Sequence, residues 1–227
     1  MLKPKLISIV IPTLNEEGNI GTVIKEVKKE LEDYGYKYEI IVVDGHSTDK
    51  TVEIAKSLGA KVLYDSIGKG SALRRGMEKA RGDIIVSMDA DLSNKPNELR
   101  LLISGIEIGY DICMGSRFIT GGGTEDMPLL RKFGNKIFVS LVNLFFGTNY
   151  TDLCYGYRGF KKGVFKKLNL TEDRFGIETE ISIKAAKLGL KVLEVPSFEK
   201  KRSSGRGKLK SFRDGYAILK TIFKNLM

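Results

Sequence analysis

Apolar and polar residues follow two kinds of spacing along the first half of the chain, and these two patterns predict alternating strands and helices. Short apolar runs closed by turn residues are typical of buried strands, whereas apolar residues three and four positions apart are typical of one helix face. The predicted strands are residues 6–11, 38–43, 61–64, 83–88 and 111–114. The predicted helices are residues 17–31, 51–58, 71–80 and 97–108. This order predicts an α/β fold with a mostly parallel central sheet, right-handed crossovers and flanking helices.

The pattern changes in the second half of the chain. Residues 121–123, Gly-Gly-Gly, predict a mobile loop, and short strands are predicted around 157–160 and 191–195 between longer helices. Two C-terminal helices, 131–146 and 209–227, are amphipathic, each with apolar residues on one face and basic residues opposite. The apolar face of the first is predicted to hold Phe133, Ile137, Phe138, Leu141, Val142 and Phe145, and that of the second Leu209, Phe212, Tyr216, Leu219, Ile222 and Phe223. Such helices more often pack on a core than dock on lipid, but the basic residues beside these apolar faces favour a lipid surface.

Two carboxylates, Asp89 and Asp91, directly follow the predicted central strand. In open α/β sheets, ligands bind at the carboxyl ends of the strands. Two carboxylates one residue apart repel each other unless a cation or hydrogen-bond donors compensate them. Hard oxygen ligands of this kind suit Mg²⁺ or Mn²⁺ that is also held by a substrate diphosphate. The sequence therefore predicts a metal site at Asp89 and Asp91 and chemistry on a nucleotide.

Other polar residues follow the first two predicted strands. Asn15 and Glu16 follow the first strand, and Asp44, Ser47 and Asp49 follow the second. Their side chains could accept hydrogen bonds from a base and a ribose, or could simply form turns and helix caps. Binding is favoured for Asp44, which ends an apolar strand, and capping for Asp49, which precedes a helix.

Motifs that bind phosphate through a glycine-rich loop are absent from the sequence. No G-x-G-x-x-G follows the first strand, and residues 68–71, Gly-Lys-Gly-Ser, have the letters of a G-K-[ST] loop without its spacing. We therefore expect strand-end polar groups and a metal ion to hold the nucleotide.

The composition adds a strong positive charge to this pattern. The chain has 227 residues, 42% of them hydrophobic, with 38 Lys+Arg, 28 Asp+Glu and a net charge of +10. Such a charge predicts a phosphate-bearing partner: nucleic acid, anionic lipid or a phosphorylated small molecule. Nucleic acid is disfavoured, because the basic residues form no recognisable reader motif and acidic strand ends would repel a phosphate backbone.

Location and redox state follow from short apolar runs and few cysteines. No apolar run is long enough to span a bilayer, which predicts a cytoplasmic protein that is soluble or peripheral to the membrane. Cys113 lies in a predicted strand and is expected to be a buried free thiol, as fits a reducing compartment. His46, the one histidine, is expected to be an exposed loop residue.

Six short motifs carry a resemblance to a known family. Residues 11–17, 42–51 and 88–92 read I-P-T-L-N-E-E, V-V-D-G-H-S-T-D-K-T and M-D-A-D-L, close to the patterns I-P-[TA]-Y-N-E, V-V-D-D-G-S-T-D-G-T and D-x-D. Residues 115–117, 152–158 and 202–208 read G-S-R, D-L-C-Y-G-Y-R and R-S-S-G-R-G-K, close to the patterns G-S-R, D-x-x-S-G-[FY]-R and R-x-x-G-x-S-K. The first three patterns are those of the family 2 glycosyltransferases of the GT-A fold, which the chain therefore resembles. The last three are those of the dolichol-phosphate mannose synthases and related polyprenyl-phosphate hexosyltransferases within that family. The resemblance covers roughly residues 6–210, and the joint order of the motifs is highly specific.

This resemblance implies an inverting transfer of mannose or glucose from a GDP- or UDP-linked donor to a polyprenyl or dolichyl phosphate at the membrane surface. A soluble or glycan acceptor is the alternative. A single domain, 1–227, is expected, with a nucleotide-binding half of about 1–117 and an acceptor-binding half of about 118–227. Docking on an anionic membrane surface is expected, either autonomously or through a separate membrane-anchoring partner.

The expected site residues fall into four groups. The donor-binding residues are Pro12, Asn15, Glu16, Asp44, Ser47, Lys69, Asp89, Ala90 and Asp91. The residues for the acceptor phosphate are Arg117, Arg202 and Lys208, whose charges suit phosphate oxygens but could equally be solvated surface groups. The expected catalytic residues are Asp91, Arg117 and Asp152, and the expected ligands of Mg²⁺ or Mn²⁺ are Asp89 and Asp91. Asp152 could orient the acceptor, assist proton removal or cap a turn.

Four positions depart from the family patterns. Gly45 replaces an aspartate after the second strand, and Leu14 replaces a tyrosine after the first. Tyr155 and Gly207 replace serines in the two subgroup motifs on the acceptor side. These last two changes indicate an altered lipid or sugar pocket rather than a loss of transfer chemistry.

Overall fold

A seven-stranded sheet forms the centre of the protein, whose computed structural model describes residues 5–125, 127–202 and 211–226. Its strand order is β3-β2-β1-β4-β7-β5-β8. The seven strands are β1 (Leu6–Thr13), β2 (Lys37–Asp44), β3 (Lys61–Tyr64), β4 (Ile84–Ser87), β5 (Ile112–Ser116), β7 (Arg158–Lys161) and β8 (Val192–Pro196). All neighbouring pairs are parallel except those of β7, which runs antiparallel to β4 and β5. The prediction of a mostly parallel sheet is therefore confirmed.

Helices cover both faces of this sheet. They are α1 (Ile20–Asp33), α2 (Thr51–Ser57), α3 (Lys69–Lys79), α4 (Leu99–Glu107), α5 (Leu129–Phe146), α6 (Val164–Leu168), α7 (Ile177–Lys187) and α8 (Ser211–Lys224). Successive residues of β1 alternate between two cores: Ile9 packs with the face of α1 and α4, whereas Val10 packs with that of α3 and α7. Burial on both faces explains why β1 and β4 are almost continuously apolar.

Most predicted boundaries in the first half lie within two residues of the observed ones. The largest difference is at α1, predicted from residue 17 but beginning at Ile20, because residues 16–19 form a turn in which the Glu16 carbonyl accepts the N–H groups of Asn19 and Ile20. Pro96 begins a short 3-10 turn, Pro96–Glu98, directly before α4. Cys113 is a buried free thiol, as predicted, and burial raises its pKa to about 12.

The prediction of a mobile loop at 121–123 is wrong for its last residue. Gly123 and Thr124 form a short strand, β6, that pairs in parallel with β9 (Phe198–Glu199). Glycine is required at position 122, directly before β6, since a Cβ there would lie 2.4 Å from the Ser116 carbonyl oxygen. The loop after β5 is thus held against the segment after β8.

The single apolar face predicted for each amphipathic helix divides between the core and the outside of the protein. Phe138 and Val142 of α5 pack on the core, but Phe133, assigned to the same face, has 65% of its surface exposed. In α8, Ile222 is buried whereas Phe212 is 84% exposed. Each helix therefore contributes apolar residues both to the core and to the outside, because its apolar positions extend over more than one face. No helix in the described part of the chain is both long and apolar enough to cross a membrane.

Candidate active site

The chain turns sharply at the end of β4, and this turn presents Asp89 and Asp91. The backbone N–H of Asp89 donates to Asn94 Oδ1 at 2.7 Å, and that of Ser93 donates to Asp91 Oδ1 at 3.0 Å. Leu92, which follows Asp91, has a φ of 65°, which the tight turn requires here. The two carboxylates retain 28% and 13% exposure, so both face a cleft rather than the core.

Each of these carboxylates holds a basic side chain. Lys69 Nζ lies 2.8 Å from Asp89 Oδ1, and Arg202 Nη2 lies 2.6 Å from Asp91 Oδ2. Arg202 also donates to Glu16 Oε1 at 3.1 Å. Burial raises the pKa of Asp91, and the nearby charge of Asp89 raises it further. The turn therefore concentrates negative charge that attracts cations.

This donor set fits a divalent cation that also binds a diphosphate. Within residues 5–125, 127–202 and 211–226, no group of three or more His, Cys, Asp or Glu side chains could enclose a metal ion. Mg²⁺ characteristically takes only one or two protein carboxylates and completes its shell with substrate phosphates and water. Asp89 and Asp91 supply that number of carboxylates, and the two cations now bound to them show that the position favours positive charge.

A cleft of about 550 Å³ extends from this turn. The predicted site residues that line it are Pro12, Glu16, Lys69, Asp89, Ala90, Asp91, Arg117 and Arg202. Four other predicted residues, Asn15, Asp44, Ser47 and Asp152, are not among the residues that line it. Lys208 lies outside the described residues.

Asp44, Asn15 and Ser47 join the loops after β1 and β2. Asp44 is fully buried and accepts hydrogen bonds from the Ser47 N–H at 2.8 Å and from Thr13 Oγ1 at 3.2 Å. Asn15 Oδ1 accepts the Thr48 N–H, and Ser47 Oγ accepts the Asn15 N–H, both at 2.8 Å. These residues shape the wall behind Pro12 and Glu16.

Asp49 lies one residue before the N-cap of α2, Lys50, but its side chain still satisfies the start of that helix. Asp49 Oδ1 accepts the N–H of Thr51, the first residue of α2, at 3.0 Å. His46 is exposed, as expected, and stacks against Tyr64 outside the cleft.

Arg117 and Asp152 form a buried pair on the opposite wall of the cleft. Arg117 donates through Nε and Nη2 to the two oxygens of Asp152, at 2.7 and 2.9 Å, and through Nη1 to Glu199 at 3.0 Å. Burial alone would lower the pKa of Arg117, but Asp152 and Glu199 outweigh it and raise that pKa. The Asp152 side chain has no exposed surface, so it acts on the cleft through Arg117.

Residues that sequence reasoning missed complete both walls. Glu178 on α7 contacts Lys69 at 2.9 Å, and Glu199 on β9 contacts Arg117. Tyr155, one of the departures from the subgroup pattern, places its ring 4.6 Å below the Arg117 guanidinium carbon. Glu178 and Glu199 lie in segments without a recognisable motif, so only the fold reveals them.

Comparison with known proteins now assigns the family. The family model described as Glycosyl transferase family 2 matches residues 8–169. The chain belongs to glycosyltransferase family 2. It is a glycosyltransferase of the GT-A fold, as the sequence motifs predicted.

Curated relatives of this family 2 enzyme include transferases that act on dolichol phosphate by name. The chain is 36% identical over 228 residues to the dolichol-phosphate mannosyltransferase of Pyrococcus furiosus, covering 97% of the chain and 61% of that protein. It is 31% identical over 219 residues to the dolichyl-phosphate hexose transferase of Haloferax volcanii, covering 96% of the chain and 92% of that protein. The chain thus spans less than two thirds of the Pyrococcus relative.

Solved structures confirm the fold. Glucosyl-3-phosphoglycerate synthase from Mycobacterium tuberculosis, in complex with Mn²⁺, UDP-glucose and phosphoglyceric acid, superposes with a TM-score of 0.75. The sequence identity is 24%, and the match covers 98% of this chain and 80% of that one.

Proposed function

We propose that this protein is an inverting hexosyltransferase that moves mannose or glucose from a GDP- or UDP-linked donor to a polyprenyl or dolichyl phosphate. The named relatives support this substrate class. The observation that carries the proposal is the chemical asymmetry of the cleft. The strand ends line one part with carboxylates and cations. Helices α5 and α8 line another part, with the apolar side chains of Leu130, Phe138, Phe212 and Ile218 among the polar ones of Arg131, Asn135, Arg213 and Asp214.

The donor occupies the part lined by the strand ends in this proposal. Glu16, Lys69 and Ala90 line the space beside the β4 turn, where a nucleoside diphosphate would lie. Asp89 and Asp91 would hold Mg²⁺ or Mn²⁺ together with that diphosphate, once Arg202 leaves Asp91. When bound, the metal ion supplies Lewis-acid stabilisation of the departing diphosphate.

The acceptor phosphate occupies the space between Arg117 and Arg202. A phosphomonoester has a second pKa near ~6 and is largely dianionic at neutral pH, so the nucleophile is already ionised. No general base is needed, which agrees with the position of His46 outside the cleft. Attack from the face opposite the leaving diphosphate inverts the anomeric carbon. Arg117, held by Asp152 and Glu199, would donate its remaining guanidinium N–H groups to the incoming phosphate, since guanidinium groups match phosphate oxygens.

The outer surfaces of α5 and α8 would rest on the membrane that holds the lipid. Side chains there are unusually apolar and exposed: Leu129 (83%), Phe133 (65%), Leu144 (75%), Phe212 (84%) and Tyr216 (72%). The Phe145 and Phe223 rings, 6.4 Å apart, join the two helices into one surface. Lysines on both helices would contact anionic headgroups, each adding about 1 kcal/mol, a contribution that salt screens.

A donor screen tests the reaction. GDP- and UDP-linked mannose and glucose are offered with a polyprenyl phosphate, and transfer of radiolabel into the organic phase is measured. The wild type should transfer one hexose in the presence of Mg²⁺ or Mn²⁺, Asp91→Ala should not, and the surface control Asp83→Asn should. Label that reaches only a water-soluble acceptor would support the alternative acceptor class. Full activity of Asp91→Ala with chelator present would contradict the metal-assisted reaction.

Binding to vesicles tests the surface. The wild type should sediment with vesicles that contain anionic phospholipid and dissociate as ionic strength rises. The double change Phe133→Ser and Tyr216→Ser should weaken binding without unfolding the protein, because both rings are solvent-exposed and neither lines the cleft. Ile108→Ser is the matched control, since Ile108 is 74% exposed but follows α4 on the other face of the sheet. No binding by the wild type at low salt would favour a separate anchoring partner.

A further inference from the structure

Residues 68–70, Gly-Lys-Gly, pack directly against the backbone that precedes α7. A Cβ on Gly68 would lie 2.5 Å from the Asp173 carbonyl oxygen, and one on Gly70 would lie 2.4 Å from that of Glu172. The N–H of Ser71 donates to the same Asp173 oxygen at 3.1 Å. Only glycine permits this approach on both sides of Lys69. The two glycines therefore place Lys69, the first residue of α3, close to α7. They do not serve as the glycines of a phosphate-binding loop.

Lys69 consequently lies between two carboxylates. Its Nζ is 2.8 Å from Asp89 Oδ1 and 2.9 Å from Glu178 Oε1, and the Glu178 side chain is only 5% exposed. Gly156 closes the arrangement from above, because a Cβ there would lie 2.9 Å from Lys69 Nζ. Burial alone would lower the pKa of Lys69, but Asp89 and Glu178 outweigh it and raise that pKa. The lysine stays charged, with its ammonium group fixed.

We propose that Glu178 is a positioning residue: it anchors the Lys69 ammonium group so that Asp89 can turn to a divalent cation while Lys69 remains aimed at the donor diphosphate. This inference rests on the proposed function, because it assumes the metal site at Asp89. With Glu178 present, Lys69 keeps an anionic partner when Asp89 is withdrawn from it. Without Glu178, Lys69 would depend on Asp89 and compete with the cation for its oxygens.

A second glutamate on the same helix shows what a purely structural pair looks like. Glu180 is also buried and bonded to a lysine, Lys184, at 2.8 Å, but it is not among the residues that line the cleft. The Glu180 carboxylate also accepts the N–H groups of Thr171 and Glu172, which fixes the segment before α7. Glu180→Gln is therefore a control for Glu178→Gln on the same helix. It loosens the segment before α7, which packs on Gly70, but removes no direct contact with Lys69, so it separates an indirect structural effect from the loss of the anchor.

Binding of Mn²⁺ to the full chain provides a readout that is independent of transfer. Mn²⁺ affinity is measured by electron paramagnetic resonance, first alone and then with GDP or UDP. Glu178→Gln should weaken Mn²⁺ binding by about three- to tenfold, at the lower end of couplings between contacting charged residues. Lys69→Met should strengthen binding of Mn²⁺ alone by a similar factor. The double variant should match Lys69→Met, because Glu178 acts only through the lysine.

The remaining arms decide the result. Glu178→Asp keeps the charge but shortens the side chain, so it should reproduce the loss and serves if Glu178→Gln folds poorly. Glu180→Gln should lower thermal stability and leave Mn²⁺ affinity unchanged. Wild-type affinity in Glu178→Gln, or a loss that persists in the Lys69→Met background, would overturn the positioning role while leaving the proposed function intact. Absence of Mn²⁺ binding by the wild type, even with GDP and UDP, would refute both.

Discussion

Replacing Asp152 with asparagine should loosen Arg117 without removing it from the cleft. The wild-type carboxylate accepts two guanidinium bonds of 2.7 and 2.9 Å and the backbone N–H of Cys154 at 3.2 Å, with no exposed surface. An asparagine can accept with only one oxygen, and it turns an amide N–H₂ group toward the positively charged guanidinium. One strong bond is lost, and one repulsive contact replaces it.

The structure sets the size of this effect. Breaking a buried ion pair from one side typically costs about 3–5 kcal/mol. Arg117 keeps Glu199 at 3.0 Å, so we expect the lower end, about 3 kcal/mol. For a chain of this size, each kcal/mol of lost stability lowers the melting temperature by about 2–4 °C. A loss of about 3 kcal/mol should therefore lower it by roughly 6–12 °C. Displacement of the guanidinium should also slow transfer by on the order of tenfold, equivalent to about 1.4 kcal/mol in the transition state.

Thermal unfolding and the initial rate of lipid-linked transfer measure the two effects on the same samples. Asp83→Asn is the control, because the Asp83–Lys162 pair is 3.7 Å apart and more than half exposed, and such pairs contribute at most about 1 kcal/mol. Nucleotide binding should survive in both variants. If Asp152→Asn melts within 2 °C of the wild type and transfers at the same rate, Glu199 alone fixes Arg117 and the reasoning is wrong.

Three further changes test other parts of the structure. Arg202→Gln should strengthen binding of Mn²⁺ alone several-fold, because Asp91 loses its competing cation, and should slow transfer; weaker Mn²⁺ binding would contradict this. Burial would raise the pKa of Glu180, but bonds from a lysine and two backbone N–H groups lower it below its ordinary 4.5. The stability it contributes is therefore present above pH 4.5 and is lost as the pH falls through the lower pKa of the folded state. The free energy of unfolding of Glu180→Gln should consequently fall less with decreasing pH than that of the wild type. Gly70→Ala should destabilise the fold by about 1–3 kcal/mol in denaturant, whereas Gly134→Ala, with its nearest neighbouring atom at 3.9 Å, should not.

The first half of the fold could be predicted because its elements are local and periodic. β1 is apolar along most of its length, and α1 places Ile20, Val23, Ile24, Val27 and Leu31 on one buried face. In α7 the same reasoning finds no clear face, because polar residues such as Glu178, Thr179 and Ser182 are buried beside Ile181 and Ile183. Burial of polar groups depends on partners from distant segments, which a pattern of hydrophobicity does not contain.

The candidate site divides in the same way. Asp89 and Asp91 lie in a motif one residue apart at a strand end, so the sequence alone predicts their proximity. Glu178 approaches Lys69 only because two glycines let α3 touch the backbone before α7. The apolar faces predicted for α5 and α8 were only partly correct, because both helices have apolar residues on inward and outward sides, and only packing distinguishes them.

A cluster of ion pairs beside the cleft has a net charge opposite in sign to that of the whole chain, and this contrast bears on the order of binding. Among the described residues, Lys69, Arg117 and Arg202 each contact two carboxylates. These carboxylates are Asp89, Glu178, Asp152, Glu199, Asp91 and Glu16. This cluster therefore carries three positive and six negative groups, within a chain of net charge +10. A phosphate dianion approaching it alone meets neutralised cations and excess negative charge. A divalent cation at Asp89 and Asp91 would offset that excess and release Arg202, so we expect the donor and its metal to bind before the acceptor phosphate.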